Sequence, residues 1–331
     1  MKICQSYSKP ELLSSGMRGY PQGGAPLMRR KNKKICQSPK DFGIELRKIV
    51  KIALEEDCAF DDITSDLTIP QNTILSFEIN PREEIIFCGQ DVILEVFSQL
   101  KKSKKFENSA LDLEILVADG NALKAFQAIA RGRGDAKLIF AGERVILNLI
   151  QHLSGVATIT NQFVQKLNNE KIKILDTRKT LPGLRHLQKH AVEMGGGKNH
   201  RMNLSDMILI KDNHIAAAGG VVEALELAEK TTRKIVAELE CDNFEQVTKA
   251  LELRPDVIML DNMSPTEIKK CAALIRENSG GEVKIEISGG VNLTNIKSFS
   301  ALDVDFISIG SLTHSVRAVD IGLDICSRAR T

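Results

Sequence analysis

Hydrophobic and polar positions along the chain follow one pattern before a long central helix and another after it. After Asp41 the apolar positions recur with helical spacing on one face, up to a run of acids at Glu55-Glu56-Asp57. Shorter stretches with alternating apolar and polar positions follow at 74–79 and 84–88, and turn signals such as Asp119-Gly120 punctuate this region. The first part of the chain therefore predicts a small α+β domain built on an antiparallel sheet.

The central helix is predicted from about Ala141 to Lys166, weakened where Ser154-Gly155 interrupts it. After it, apolar runs alternate for the most part with helical segments, the last of which opens with the capping box Ser264-Pro265-Thr266-Glu267. The helical segments cover 221–232, 244–253 and 265–277, and the apolar runs cover 172–175, 207–210, 235–239, 257–260, 283–287 and 306–309. Because the runs are apolar throughout, we expect a parallel sheet with both faces covered.

Polar or glycine-rich groups stand where each of these apolar runs ends. They are Asp176-Thr177-Arg178-Lys179, Lys211-Asp212, Glu240, Asp261-Asn262, Ser288-Gly289-Gly290 and Gly310-Ser311. Functional groups at the carboxyl ends of successive strands are typical of the active site of an α/β barrel. A doubly wound sheet concentrates them at its switch point instead. The sequence therefore favours a barrel over an open sheet.

Charge is distributed unevenly in a chain whose net charge is only +2. Between Lys171 and His214 there are nine Lys or Arg against four Asp or Glu, together with four of the six histidines. A local excess of cations in a nearly neutral protein indicates a small polyanionic substrate, whereas nucleic acid requires a wide basic face. With no Trp and two Tyr there is also little surface for stacking on bases. Charges interrupt every apolar run well before membrane-spanning length.

The first forty residues differ from the rest, with nine Lys or Arg and a single acid, Glu11. We expect a disordered extension there. The same composition is typical of organelle transit peptides, and translation from Met28 is a further alternative. Seven cysteines lie singly without Cys-x-x-Cys spacing, which favours a reducing compartment over a disulfide framework. We therefore expect the protein in the cytoplasm.

The strand-end residues suggest three kinds of chemistry, each with a structural alternative. The cations Arg178, Lys179, Arg201 and Lys211 suit a ligand with several carboxylates or phosphates, or form a solvated loop. The glycine pairs suit a phosphate bound by backbone N–H groups, or simple turns. Glu240 and Asp261 suit Mg²⁺, ribose hydroxyls or a developing positive charge, or neutralise nearby lysines. His200 and His214 are candidates for acid–base work or structural hydrogen bonding.

Taken together, these residues resemble the quinolinate phosphoribosyltransferase family, and the similarity runs from about Ile44 to the C-terminus. The matching stretches are 143–148, 153–158, 176–183, 195–197, 199–201, 209–214, 260–262, 288–290 and 312–314. The resemblance implies an α/β fold with an N-terminal α/β sandwich on an antiparallel sheet, residues 41–145. That domain packs on an incomplete α/β barrel of the type II phosphoribosyltransferase kind, residues 146–314. The tail, residues 315–331, returns to the N-terminal domain.

The resemblance also implies the partners and the site residues. At least a homodimer is implied, in which Arg144 of one subunit completes the partner's site. Quinolinate's two carboxylates are then bound by Arg144, Arg178, His200, Arg201 and Lys211. Phosphoribosyl pyrophosphate is bound by Thr177, Lys179, Glu240, Asp261, Ser288, Gly289, Gly290, Ile309, Gly310 and Ser311. Lys179, Glu240 and Asp261 are the implied catalytic residues, and Glu240 and Asp261 the implied Mg²⁺ ligands, through water or substrate. No organic cofactor is implied.

The implied reaction is the transfer of phosphoribosyl to quinolinate with loss of CO₂, which gives nicotinate mononucleotide and pyrophosphate for NAD biosynthesis. Two other functions stay open. One is a related phosphoribosyl or ribosyl transferase that acts on another anionic base. The other is a non-catalytic sensor that binds phosphoribosyl pyrophosphate without turning it over.

Overall fold

The computed structural model describes residues 42–230 and 235–328, and its first part is a four-stranded antiparallel sheet. The strands lie in the spatial order β12 (Ile321–Arg328), β1 (Ile74–Pro81), β5 (Ala130–Asp135) and β3 (Leu111–Ile115). A small ladder pairs β2 (Ile85–Ile86) with β4 (Ala122–Leu123). Helices α1 (Phe42–Glu56), α2 (Ile63–Thr68) and α3 (Gln90–Lys101) belong to the same part. The antiparallel sheet that the alternating pattern predicts is confirmed.

Six parallel strands make up the second sheet, in the order β6 (Lys173–Leu175), β11 (Phe306–Ser308), β10 (Lys284–Ser288), β9 (Val257–Asp261), β8 (Ala237–Cys241) and β7 (Ile208–Ile210). No pairing between β6 and β7 closes this sheet within the described residues. The ends of the predicted runs differ from the strand ends by at most two residues. The incomplete barrel is thus confirmed, with six strands in place of eight.

The helices that follow the barrel strands are α5 (Arg185–Met194), α6 (Asp212–Ala218), α7 (Val221–Glu229), α8 (Phe244–Leu253), α9 (Pro265–Ser279) and α10 (Ser311–His314), with a 3₁₀ turn at Ile296–Phe299. Ser264 and Glu267 form the predicted capping box of α9. The predicted end of α7 at 231–232 and the predicted extension at 1–40 lie outside the described residues. No helix among residues 42–230 and 235–328 is long and apolar enough to span a membrane.

Helix α4 (Ala136–Leu167) runs without a break through Ser154-Gly155, so the predicted weakening there is wrong. The hydroxyl of Ser154 accepts a hydrogen bond from Cys88 N (3.0 Å) and donates one to Cys88 O (3.2 Å). A Cβ on Gly155 would overlap the carbonyl oxygen of Arg317. Both residues therefore serve tertiary contacts of the helix, and neither ends it. The expected domain boundary at 145/146 falls inside this one helix, which contacts both sheets.

Candidate active site

The carboxyl ends of the barrel strands bring together most of the residues that the sequence singles out. Arg178 and Lys179 follow β6, Arg201 precedes β7, and Lys211 follows β7. The Nε atom of Arg178 is buried and has no hydrogen-bond partner among the described residues. Burial, and then the like charge of Arg178, lower the pKa of Arg201. The positive charges of Arg178 and Arg201 therefore repel each other in the free protein.

Arg201 is only 6% exposed, although it is a cation. Its Nη1 donates to the carbonyl oxygen of Met207 at 3.3 Å. Burying a charge is costly unless it is paired and well hydrogen-bonded. This side chain is therefore held in a state that an anionic ligand would stabilise.

A cavity of about 530 Å³ lies beside the edge strand β7, but it is not the meeting point of the strand ends. Arg201 and His214 contribute to its wall, which is otherwise mostly apolar. The ring of His214 accepts a hydrogen bond from Lys211 N through Nδ1 (3.0 Å), and its side chain is exposed. His214 thus caps the turn that carries Lys211. Of its two predicted roles, this is structural hydrogen bonding and not acid–base work.

The two predicted carboxylates follow the neighbouring strands β8 and β9. Glu240 forms an ion pair with Lys211, and burial raises the pKa of Glu240, with Asp261 adding to the effect. Asp261 accepts a hydrogen bond from Asn262 Nδ2 at 2.6 Å. Carboxylate oxygens on adjacent strands fit Mg²⁺, which binds proteins through one or two carboxylates plus substrate phosphates. In the free protein Lys211 already neutralises Glu240. This favours a metal ion that arrives with a substrate phosphate over one that is bound permanently.

Glycine is required in the loops that follow β10 and β11. Gly289 and Gly290 have φ of +87° and +65°, and a Cβ on Gly289 would overlap the side chain of Asn262. A Cβ on Gly310 would lie 2.9 Å from Cδ of Lys179, so the stem of that lysine crosses the glycine. Of these three glycines, Gly290 alone has no described atom within 4 Å of the position of a Cβ, so a ligand can approach the backbone closely there.

Thr177, Ser311 and Ile309 have different places in this region. The hydroxyl of Thr177 accepts from Lys179 N at 3.0 Å and shapes the turn after β6, and Ser311 begins α10. Ile309 is 2% exposed, and its N–H donates to the carbonyl oxygen of Leu175. Its side chain and amide are therefore part of the barrel wall and are not available to a ligand.

His200 lies one layer below the strand ends, buried between two glutamates. Its Nε2 is 2.9 Å from Glu238 Oε2 and 3.7 Å from Glu286 Oε2. Burial disfavours the charged imidazole, but the carboxylate of Glu238 outweighs it, and the pKa of His200 is raised to about 9. The ring is thus an imidazolium under the cation cluster at neutral pH.

A fully buried ion pair between Lys189 and Asp176 fixes the segment that carries His200 and Arg201. Asp176 accepts a hydrogen bond from His200 N (2.9 Å), and Lys189 donates one to His200 O (3.0 Å). Burial raises the pKa of Asp176 to about 6. Removing one partner alone would leave an uncompensated buried charge. The pair thus holds the site residues from below.

Replacing Glu286 by Gln is expected to stabilise the protein at alkaline pH. Neither carboxylate oxygen of Glu286 has a hydrogen-bond partner among the described residues, and burial, with Glu238, raises the pKa to about 8 from 4.5. The folded state therefore keeps a proton that the unfolded state loses, and stability falls as the pH rises from 4.5 to 8. Glutamine copies the protonated form and does not titrate.

Thermal unfolding at pH 5 and pH 8 measures this effect. The two proteins should melt alike at pH 5, and at pH 8 the Glu286→Gln protein should melt higher, by about 2–4 °C per kcal/mol. Glu252→Gln, an exposed change on α8, is the control and should shift neither melting point. A Glu286→Gln protein that melts lower at pH 8 would mean that a charged Glu286 pairs with His200.

Arg144 is the only predicted site residue on α4. Its side chain is exposed, and it makes no hydrogen bond or ion pair with the part of the chain that the structure describes.

The Gly195–Gly197 turn serves packing, because a Cβ on Gly195 would overlap the carbonyl oxygen of Ala157 on α4.

Sequence reasoning missed the buried residues beneath the site. Glu238 and Glu286 stand two positions before Glu240 and Ser288, so each pair faces the same side of its strand. A single acid inside an otherwise apolar strand, in phase with a strand-end functional group, was the available signal.

Two family models match the chain: "Quinolinate phosphoribosyl transferase, N-terminal domain" over residues 62–154 and "Quinolinate phosphoribosyl transferase, C-terminal domain" over 156–324. The chain is 40% identical over 280 residues to a "Nicotinate-nucleotide pyrophosphorylase [carboxylating]" of Mycobacterium leprae, covering 84% of this chain and 96% of the relative. It is 36% identical over 301 residues to "Quinolinate phosphoribosyltransferase [decarboxylating] 2b, mitochondrial" of Nicotiana tabacum, with 85% and 82% covered.

Solved structures of similar proteins have the same fold. The nicotinate-nucleotide pyrophosphorylase of Ehrlichia chaffeensis aligns with a TM-score of 0.77 and 41% identity, covering 84% of this chain and 97% of that one. The enzyme of the same name from Francisella tularensis aligns with a TM-score of 0.79 and 37% identity, covering 89% and 100%.

Proposed function

The chain belongs to the quinolinate phosphoribosyltransferase family, and we propose that its strand-end cations and carboxylates carry out that family's reaction. The chain is a pentosyltransferase that moves phosphoribosyl from 5-phosphoribosyl 1-pyrophosphate to quinolinate, with release of pyrophosphate and CO₂, to give nicotinate mononucleotide for NAD biosynthesis. One observation carries the assignment of the site. Arg178 and Arg201 are adjacent cations, largely withdrawn from water, and Arg178 Nε has no partner among the described residues.

Quinolinate supplies the missing partner because it carries two carboxylates on neighbouring ring carbons. Arg178 and Arg201 offer planar, bidentate donors to them, and Lys211, which is paired with Glu240 in the free protein, offers a further charge from the end of β7. His200 adds a fixed positive charge from the layer below. A monocarboxylate such as nicotinate would leave part of this positive charge unpaired, which is a strong basis for rejecting it.

Phosphoribosyl pyrophosphate belongs on the other side of the site, where Lys179 crosses Gly310. The loop Ser288, Gly289 and Gly290, together with Gly310 and Ser311 after the adjacent strand, would bind the phosphate oxygens, with the closest approach at Gly290, and Thr177 shapes the turn. Glu240 and Asp261 would hold Mg²⁺ together with the substrate. A metal ion held there would neutralise charge on the departing pyrophosphate.

The chemistry needs no covalent nucleophile. The ring nitrogen of quinolinate forms a bond to C1 of the ribose while the bond from C1 to the pyrophosphate oxygen breaks. Glu240 and Asp261 stabilise the positive charge that develops at C1. The carboxylate next to the nitrogen then leaves as CO₂, the pyridinium takes up the electron pair, and a proton replaces the lost group. Positioning two mutually repelling anions supplies roughly 7–11 kcal/mol of the barrier, and no organic cofactor is required.

We also propose a homodimer in which Arg144 reaches the partner's quinolinate. Its exposed position on α4, where it makes no hydrogen bond or ion pair with the described residues, supports this assignment. Cytoplasmic action fits the composition of the chain, whereas the Nicotiana relative is named as mitochondrial. Expression of the full-length chain and of a chain that begins at Met28, with localisation of each, separates a targeting role of residues 1–40 from none.

The test of the function is a paired product assay. Purified protein is incubated with quinolinate, phosphoribosyl pyrophosphate and Mg²⁺, and CO₂ and nicotinate mononucleotide are followed together. Equal yields of the two products, with no product from nicotinate, are expected. Turnover of another anionic base would indicate a sister activity, and binding without turnover would indicate a sensor.

A further inference from the structure

The buried side chain of Gln188 joins three elements around the proposed phosphoribosyl pyrophosphate site. Gln188 lies on α5 and is fully buried. Its Oε1 accepts a hydrogen bond from Leu181 N at 2.9 Å, in the loop after β6. Its Nε2 donates to the carbonyl oxygen of Thr313 on α10 at 2.8 Å and lies 2.8 Å from Nε2 of His152 on α4. One amide therefore connects the loop after β6 and helix α10 to the central helix.

The chemistry of the partners fixes the orientation of this amide. Leu181 N can only donate and the carbonyl oxygen of Thr313 can only accept, so Oε1 and Nε2 cannot be exchanged. The second hydrogen of Nε2 then points to His152, which must accept it as a neutral ring. Burial lowers the pKa of His152, in agreement with the neutral form. Every donor and acceptor of the amide on these contacts is therefore satisfied, as buried polar groups require.

These bonds converge on Lys179. The backbone carbonyl of Lys179 accepts from the hydroxyl of Thr313 at 2.8 Å, and Leu181 stands two residues further along the same loop. The stem of Lys179 crosses Gly310, just before α10. Lys179 itself is exposed, and no described residue pairs with its ammonium group. The support for its position thus comes from the loop backbone, which Gln188 and Thr313 hold on both sides.

We propose that Gln188 is a positioning residue, which holds the loop of Lys179 against α10 so that the ammonium group meets phosphoribosyl pyrophosphate. The inference rests on the proposed function of Lys179. Arg178, in the same loop, has a separate support. Arg185 donates to the carbonyl oxygen of Arg178 (3.5 Å) and to that of Met202 (3.2 Å), which ties the backbone of Arg178 to the segment after Arg201. Gln188 should therefore affect one substrate much more than the other.

Gln188→Met keeps the length and apolar packing of the side chain and removes all three hydrogen bonds. Because a displacement of 1 Å in a site can cost roughly 10²-fold, we expect kcat/KM for phosphoribosyl pyrophosphate to fall by about that factor. Binding of quinolinate alone, measured by calorimetry, should not change. Thr313→Val, which removes only the hydroxyl, should act in the same direction with a smaller effect, and serves if the first variant does not fold.

A double-mutant cycle with Lys179→Met separates positioning from a general structural role. If Gln188 acts through Lys179, Gln188→Met should cause no further loss in the Lys179→Met protein. Losses that multiply, or a loss of quinolinate binding, would overturn the proposal. If Lys179→Met itself leaves kcat/KM for phosphoribosyl pyrophosphate unchanged, the proposed role of Lys179 fails. If only Gln188→Met is without effect, the positioning role alone fails.

Discussion

An Arg201→Met protein is expected to lose its use of quinolinate while it keeps or gains stability. Truncating one partner of a buried, hydrogen-bonded charge pair costs about 3–4 kcal/mol, which is roughly 10²- to 10³-fold in kcat/KM for quinolinate. Before substrate binds, however, Arg201 is a buried cation beside Arg178, whose like charge and the burial lower its pKa. Removing it relieves a repulsion in the free protein, and the methionine keeps most of the packing.

The measurements are steady-state kinetics with both substrates and thermal unfolding without ligand. Arg131→Ala is the matched control, because Arg131 is 62% exposed and pairs with Glu78 on the antiparallel sheet, far from the barrel strand ends in the sequence. The Arg131→Ala change should alter neither the kinetics with the two substrates nor the melting temperature. An Arg201→Met protein with normal quinolinate kinetics would refute the binding role, and one that melts much lower would show that Arg201 holds the fold rather than the substrate.

Two inactive variants are expected to restore each other when they are mixed. If Arg144 acts in the partner's site, a heterodimer of Arg144→Ala and Arg201→Met subunits has one site with both defects and one intact site. Random assortment makes half of all dimers mixed, and half of their sites intact, so about a quarter of the wild-type activity should return. If Arg144 acts within its own subunit, every site of the heterodimer carries a defect.

The experiment requires subunit exchange, which co-expression with two different affinity tags secures. Arg144→Ala mixed with wild type gives the scale for the recovery. Arg201→Met mixed with Lys211→Ala is the negative control, because both residues belong to the same barrel and no mixed site would be intact. Activity from that pair, or none from the first pair, would contradict the shared site.

The strands of the barrel were predictable because each is a short apolar run between a helix and a functional group. The break predicted at Ser154-Gly155 was wrong for a physical reason. Local propensity weakens a helix at serine and glycine, but Ser154 bonds to Cys88 and Gly155 admits the backbone of Arg317. These tertiary contacts compensate for the low helix propensity of the two residues. Their partners lie 66 or more positions away in the sequence, so no local pattern contains them.

The strand-end residues of the site could likewise be predicted from the sequence, whereas the buried residues that hold them in place could not. Arg178, Lys179, Lys211, Glu240 and Asp261 are polar at places where a strand has to end. Lys189 and Gln188 lie in the middle of a helix, where charged and polar residues are usually solvated. Only the folded structure shows that both are buried and face the loops of the site.

The strand β12 has a consequence for how the protein is made. It completes the antiparallel sheet at the edge of β1, and Asn80 Nδ2 donates to Asp324 Oδ2 at 3.1 Å across 244 residues of chain. At 5–20 residues per second, a ribosome needs roughly 10–50 s to synthesise that interval. During this time one edge of β1 has no partner strand, and unpaired edges invite association with other chains. The nascent protein is therefore most exposed to aggregation while its barrel is being translated, and a chaperone that covers β1 would act in that interval.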